Sequence, residues 1–131
     1  MIVNVGIDSA DVDRFARLLA RDRERLFAAL FGETERAAMP ALNDKREANY
    51  IAGRWAAKEA VLKALGTGIG SVTLPEVGIF ARKSGQPYII LYHKALEHSQ
   101  ELGINQWHLS ITHVKKIATA YVIAEHVHER T

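Results

Sequence analysis

The stretch "YIAGRWAAKEAVLKALGTG", Tyr50 to Gly68, decides how this chain folds. At 3.6 residues per turn, Ile51, Trp55, Leu62 and Leu65 fall within about one third of a helix circumference. Gly53, Ala57, Ala60 and Ala64 form a second stripe of small residues, so two faces can pack at once. The spacing predicts a central helix running roughly from Lys45 to Leu65, wrapped by a sheet and ended by Gly66 in the left-handed conformation. Charge interrupts the pattern. Lys58 projects near the middle of the large apolar face, and Glu59 and Lys63 lie together along its flank. Glu preceding Lys by four residues reads, by itself, as a surface ion pair worth about 0.2–0.5 kcal/mol. Lys58 does not fit that reading, because its ammonium would have to escape a face meant for burial, a conflict that a bound anion would resolve. The "GTGIG" that follows exposes backbone N–H groups but is no Walker loop, since its glycines come after the helix.

Working outward, "IVNVGI" reads as a buried strand ending at Asp8. From about Ala10 to Phe31, apolar residues recur at helical spacing, which predicts one bent helix or two short ones, stopped by Gly32. "GETERAAMP" is a further short helical turn closed by Pro40. Val77 to Phe80 and Pro87 to Tyr92, separated by "ARKSGQ", predict a β-hairpin. His93 to Leu102 is predicted helical up to Gly103, and "WHLSITH" and "IATAYVIAE" are two more strands.

The 131 residues, 48% hydrophobic, fit one domain spanning 1–131, large enough to bury a core. There is no cysteine, so a metal must use O or N ligands. "MIVNVGIDSAD" has no basic region before its short apolar run, and no later run is long enough to span a bilayer. The expectation is a soluble, cytoplasmic protein with no membrane partner. The net charge is only +2, yet Arg14, Arg17, Arg21, Arg23 and Arg25 crowd one early segment that could meet an acidic partner. Nucleic acid is disfavoured: the 8% aromatic content does not interleave with the arginines, and no zinc-finger or RNP-like motif is present.

Taken in order, "VGID", "AGRWAAKEAVLKALGTGIG", "SGQPYIIL" and "LSITH" resemble the holo-acyl-carrier-protein synthase family, the small bacterial 4′-phosphopantetheinyl transferases. The resemblance covers about Val5 to Glu125, and its central motif is highly specific. It implies an α+β fold with a long central helix packed against an antiparallel sheet. It also implies transfer of 4′-phosphopantetheine from coenzyme A to a serine of an apo-acyl carrier protein, with Mg²⁺ required and adenosine 3′,5′-bisphosphate released. By the same resemblance Asp8 and Glu59 hold the metal, a set consistent with the preference of Mg²⁺ for one or two carboxylates plus water and phosphate oxygens. Lys63 matches the lysine that reaches the phosphates, and Arg54 and Lys58 match family positions whose role, ligand contact or helix support, spacing leaves open. Gly66, Thr67 and Gly68 resemble the coenzyme A loop. Thr112 and His113 of "SITH" become contacts to the adenosine 3′-phosphate or the adjoining backbone, whereas a lone strand-end His would otherwise read as an ordinary turn residue. Arg14 matches the carrier-docking arginine, and Arg17 and Arg21 continue its face. The family commonly forms trimers with active sites between subunits, which would set Asp8 and Glu59 on opposite sides. Service to fatty acid, related lipid or polyketide biosynthesis follows.

The chain departs from the family pattern at several points. Ser9 and Ala10 follow "GID", with Asp11 standing for the usual acid, "FGETER" replaces a phenylalanine-threonine-acid sequence, and Trp55 stands where Phe is common. Competing readings are a non-catalytic module that binds coenzyme A or a carrier protein, and a small basic nucleic-acid-binding protein, whose binding would fall steeply with salt.

Overall fold

The structure, a computed structural model, describes residues 1–66 and 72–128. In chain order the elements are β1 (Ile2–Asp11), α1 (Val12–Leu30), α2 (Glu33–Ala37), α3 (Asp44–Leu65), β2 (Val77–Ala81), β3 (Pro87–Leu91), α4 (His93–Glu101), β4 (Gln106–Val114) and β5 (Ile117–Glu125), with a 3-10 turn at Leu74–Glu76 before β2. The fold is α+β, as expected. One sheet has the order β1-β5-β4, antiparallel throughout, and β2 and β3 form a separate hairpin.

The long helix α3 forms for local reasons and is buried for tertiary ones. Asn43 caps it, accepting from the Arg46 amide at 3.0 Å, and Asp44 and Glu47 suit the positive end of its dipole. Gly66, at φ 71°, closes it in the left-handed region. Both predicted stripes are used: Ile51, Ala57, Ala60, Leu62, Ala64 and Leu65 are all buried, and Trp55 is partly covered. The sheet presents Gly6, Ala10, Ala118, Ala120, Val122 and Ala124 to this helix. Small residues on both sides bring backbones together. A Cβ placed on Gly6 would lie 1.9 Å from the Ala60 carbonyl oxygen and 3.2 Å from the Ala64 nitrogen, so only glycine fits there.

The strand expected to stop at Asp8 runs three residues further. Ser9, Ala10 and Asp11 keep pairing with Thr119, Ala118 and Ile117, and β1 ends at Asp11 because that side chain turns to cap α1, accepting from the Asp13 amide at 2.9 Å. Helix α1 is bent, as its pattern suggested: Asp22 is non-helical at φ −162°, ψ 90°, and its carboxylate accepts from the Arg25 amide at 3.1 Å, starting the second half. Among the described residues no helix is long and apolar enough to cross a membrane.

Candidate active site

Gly6, Asp8 and Ala10 alternate onto the inner face of β1, and the close seating of Gly6 on Ala60 carries Asp8 to the flank of α3 where Glu59 and Lys63 project. The Lys63 ammonium donates to Asp8 Oδ1 and to the Ile7 carbonyl, each at 3.1 Å. Asp8 keeps only 18% of its side chain exposed, whereas Lys63 keeps 56%. Burial pushes the Glu59 carboxyl above the ordinary value of 4.5, the Asp8 charge pushes it the same way, and Lys63 opposes both. Two carboxylates and one ammonium thus share a partly solvated edge where β1 crosses α3. One chain brings Asp8 and Glu59 together, which corrects the expectation that they face each other from opposite subunits. The close approach at Gly6 is the reason: it leaves the carboxylates of one strand and one helix in Coulombic range.

The same geometry tests the fit of a divalent cation. Two hard oxygen donors whose mutual repulsion is relieved by a stand-in ammonium form an incomplete, water-accessible set, the kind Mg²⁺ uses with substrate phosphate. Among the described residues no group of three or more metal-ligating side chains forms an all-protein cage. Asp8 and Glu59 would therefore fit a divalent cation whose remaining ligands come from water and substrate oxygens.

Lys58 is elsewhere. It is fully buried, and its ammonium donates to Glu35 Oε1 at 2.7 Å, to the Leu74 carbonyl at 3.1 Å and to the Val77 carbonyl. Its three N–H donors are thereby taken up by protein, which corrects the expectation that it meets a bound anion. Glu35 Oε2 accepts from the Ile79 amide at 2.9 Å, so one charge pair ties α2, α3, the 3-10 turn and β2 together. Burial pushes Glu35 up and Lys58 down, each opposed by the charge of the other. Sequence reasoning missed Glu35; the one available signal was an unexplained buried lysine without an assigned counter-ion.

Arg54 stacks over Tyr50, its guanidinium carbon 4.3 Å from the ring centroid, and its buried Nε has no hydrogen-bond partner among the described residues. Thr112 and His113, adjacent in sequence, face opposite sides of β4. Thr112 stands opposite Thr119 on the outer face, while the His113 imidazole lies against Gly53 and within 2.9 Å of the Asn49 carbonyl. Gly53 precedes Glu59 by six residues, about 9 Å of helix rise, so one chain does not bring His113 to the carboxylate pair. Gly66 is exposed, and its amide is already bonded to the Leu62 and Lys63 carbonyls. Thr67 and Gly68 lie outside the described residues. Arg14, Arg17 and Arg21 are exposed on the first half of α1, and Arg21 borders an open groove of about 600 Å³ with Leu18, Arg25 and Leu26.

The sequence model of the 4′-phosphopantetheinyl transferase superfamily matches residues 4–124. The holo-[acyl-carrier-protein] synthase of Alkalilimnicola ehrlichii is 40% identical over 126 residues, covering 95% of this chain and 98% of its own. That of Natranaerobius thermophilus is 37% identical over 123 residues, covering 94% and 97%. Among solved structures, the Neisseria meningitidis holo-[acyl-carrier-protein] synthase superposes with a TM-score of 0.82 at 33% identity, covering 95% of this chain and 99% of that one. The Bacillus anthracis enzyme, solved in complex with CoA (3′,5′-ADP), gives 0.78 at 33% identity, covering 97% and 99%. The chain belongs to the 4′-phosphopantetheinyl transferase superfamily, and it is an enzyme of the phosphopantetheinyl transferase class. The non-catalytic binding-module reading falls with that result.

Proposed function

We propose that this chain transfers 4′-phosphopantetheine from coenzyme A to a serine of apo-acyl carrier protein, releasing adenosine 3′,5′-bisphosphate. The observation that carries the reading is the pair Asp8 and Glu59, brought together beside Lys63 where β1 crosses α3. In the reaction the serine oxygen forms a bond to the β-phosphorus, the bond from that phosphorus to the bridging oxygen breaks, and the serine proton is released. Negative charge then grows on the bridging oxygen. Asp8 and Glu59 would hold Mg²⁺, which supplies Lewis-acid stabilisation of that charge when bound. Lys63, exposed and held by Asp8 in the free chain, swings to the phosphates. Arg54, whose Nε has no hydrogen-bond partner among the described residues, and His113, on the inner face of β4, are assigned to the adenosine 3′-phosphate end, and Gly66, which leads into Thr67 and Gly68 in the sequence, to the nucleotide. Arg14, Arg17 and Arg21 dock the acidic carrier.

A homotrimer completes this reading, because His113 and the carboxylate pair are apart in one chain. Its support is the outer face of the β1-β5-β4 sheet, where Val5, Ile7 and Tyr121 are 45%, 55% and 44% exposed, beside Ile117 and Val114. An apolar patch of this kind marks an association surface. We place the enzyme in the cytoplasm, serving fatty acid or related lipid or polyketide biosynthesis, on the strength of its relatives' carrier-protein chemistry.

The test is mass spectrometry of an apo-acyl carrier protein after incubation with the protein, coenzyme A and Mg²⁺, with an EDTA control. A metal-dependent gain of one phosphopantetheinyl group is the expected outcome. No gain with several carrier proteins, from a folded sample, would refute the reading.

A further inference from the structure

Arg14 lies beside two aromatic rings at once, those of Phe15 and Trp55. Its guanidinium carbon lies 5.5 Å from the Trp55 ring centroid and 5.6 Å from that of Phe15, and the two rings are themselves 5.6 Å apart and tilted by 49°. Phe15 is 1% exposed, so the platform is anchored in the core. Among the described residues Arg14 forms no salt bridge, whereas Arg23 pairs with Glu47 and Arg36 with Glu24. Aromatic faces orient a guanidinium without neutralising it, which leaves its charge for a partner. Trp55, Glu59 and Lys63 occupy successive i, i+4 positions and form one ridge of α3. The platform beneath Arg14 is therefore one turn, about 6 Å of rise, from Glu59.

We infer that Trp55 is a positioning residue for carrier-protein docking: it fixes Arg14 over α3, and so sets where an acidic helix carrying the acceptor serine sits relative to Glu59. The inference rests on the reading of Arg14 as a docking residue. Trp55 acts through Arg14 and not on the nucleotide, so the signature is a change in one substrate's KM. Replacing the indole removes one of the two cation–π faces, leaving that of Phe15, while Arg14 keeps its charge and its attachment to α1.

Steady-state kinetics of the full chain with apo-acyl carrier protein would test it. Trp55→Leu is expected to raise the carrier KM about two- to five-fold, the range a surface cation–π contact supplies. The coenzyme A KM and kcat stay unchanged, and Trp55→Phe, which keeps a ring, has a smaller effect. Because Trp55 works through Arg14, adding Trp55→Leu to Arg14→Ala should raise the carrier KM no further than Arg14→Ala alone. In a Trp107→Phe background, Trp55 is the sole indole, and its fluorescence should shift on titration with apo-carrier protein. Thermal melting of each variant identifies any that fails to fold, and Trp55→Phe then carries the test. If Arg14→Ala raises the carrier KM while both Trp55 variants leave it unchanged, or the two effects add fully, the inference is overturned and the docking reading stands. If Arg14→Ala has no effect, the docking reading itself falls, and this inference with it.

Discussion

Lys63 and Asp8, 55 positions apart in the chain, meet as an ion pair with 3.1 Å between Nζ and Oδ1, and the same ammonium reaches the carbonyl of Ile7. The lysine assigned to phosphate in the reaction thus neutralises, in the free chain, the carboxylate assigned to metal. Each of its two partners lies on β1 and Lys63 itself on α3, so the contact reports the seating of strand on helix.

Lys63→Met should sharply reduce turnover by removing the phosphate contact, yet leave folding nearly untouched. Lys63 is 56% exposed, and an exposed pair contributes about 0–1 kcal/mol. Urea unfolding alongside coenzyme A kinetics would check both halves; a variant with normal kinetics would remove Lys63 from the site.

Glu59→Gln should abolish turnover and weaken Mn²⁺ binding measured by electron paramagnetic resonance. Stability moves the other way. Because the folded carboxyl sits above its ordinary 4.5, chiefly through burial and also through Asp8, its protonated form is favoured in the fold. Its contribution is full below 4.5 and is lost as pH rises through the folded value. Without metal at neutral pH, Glu59→Gln should melt at or above the parent temperature, with the gap closing as pH falls towards 4.5. Metal affinity of the parent should weaken as pH falls through that same raised value, which calorimetry in a pH series would record.

Lys58→Met leaves the Glu35 carboxylate buried and strips donors from the Leu74 and Val77 carbonyls. A loss of about 3–5 kcal/mol is expected from denaturant titration. Adding Glu35→Leu should recover part of it by removing the stranded charge, and only part, since the Ile79 amide then lacks its acceptor. A single Lys58→Met variant as stable as the parent would contradict the structural role described for this pair.

Gly6→Ala places a methyl against the Ala60 carbonyl, backbone that no rotamer change can clear. The strand must lift from α3, at a cost of about 1–3 kcal/mol or more. Asp8 lifts with it, so Mn²⁺ affinity of the folded fraction should fall as well. Gly66→Ala serves as a comparison: among the described residues nothing lies within 4 Å of a Cβ there, and its positive φ gives strain without displacing β1.

Most of the secondary structure was legible because it follows from local periodicity. The 3.6-residue stripes of α3, the Gly66 stop and the alternation of β4 and β5 each depend on neighbours within a few positions. The end of β1 was misplaced, since Asp11 acts as a helix cap and the apolar run stops earlier than the ladder. In the site, Asp8, Glu59 and Lys63 were legible as residues through resemblance, and their meeting in one chain was not. Lys58 was misread because its counter-ion, Glu35, lies 23 positions away on a five-residue helix with no periodic signal. Thr112 and His113 were read as a unit, although period-two alternation sends adjacent strand residues to opposite faces.

By itself the sequence determined which segments are helix and strand, that α3 has two faces to bury, and the chemical class its motifs resemble. These depend on spacing along the chain. Only the tertiary structure decided the strand order β1-β5-β4, the seating of Gly6 on Ala60, the partner of Lys58 and the aromatic platform under Arg14. Each is a contact between residues distant in sequence, chosen by which surfaces exclude water together and which buried charges find a counter-charge, and local pattern carries no record of that choice.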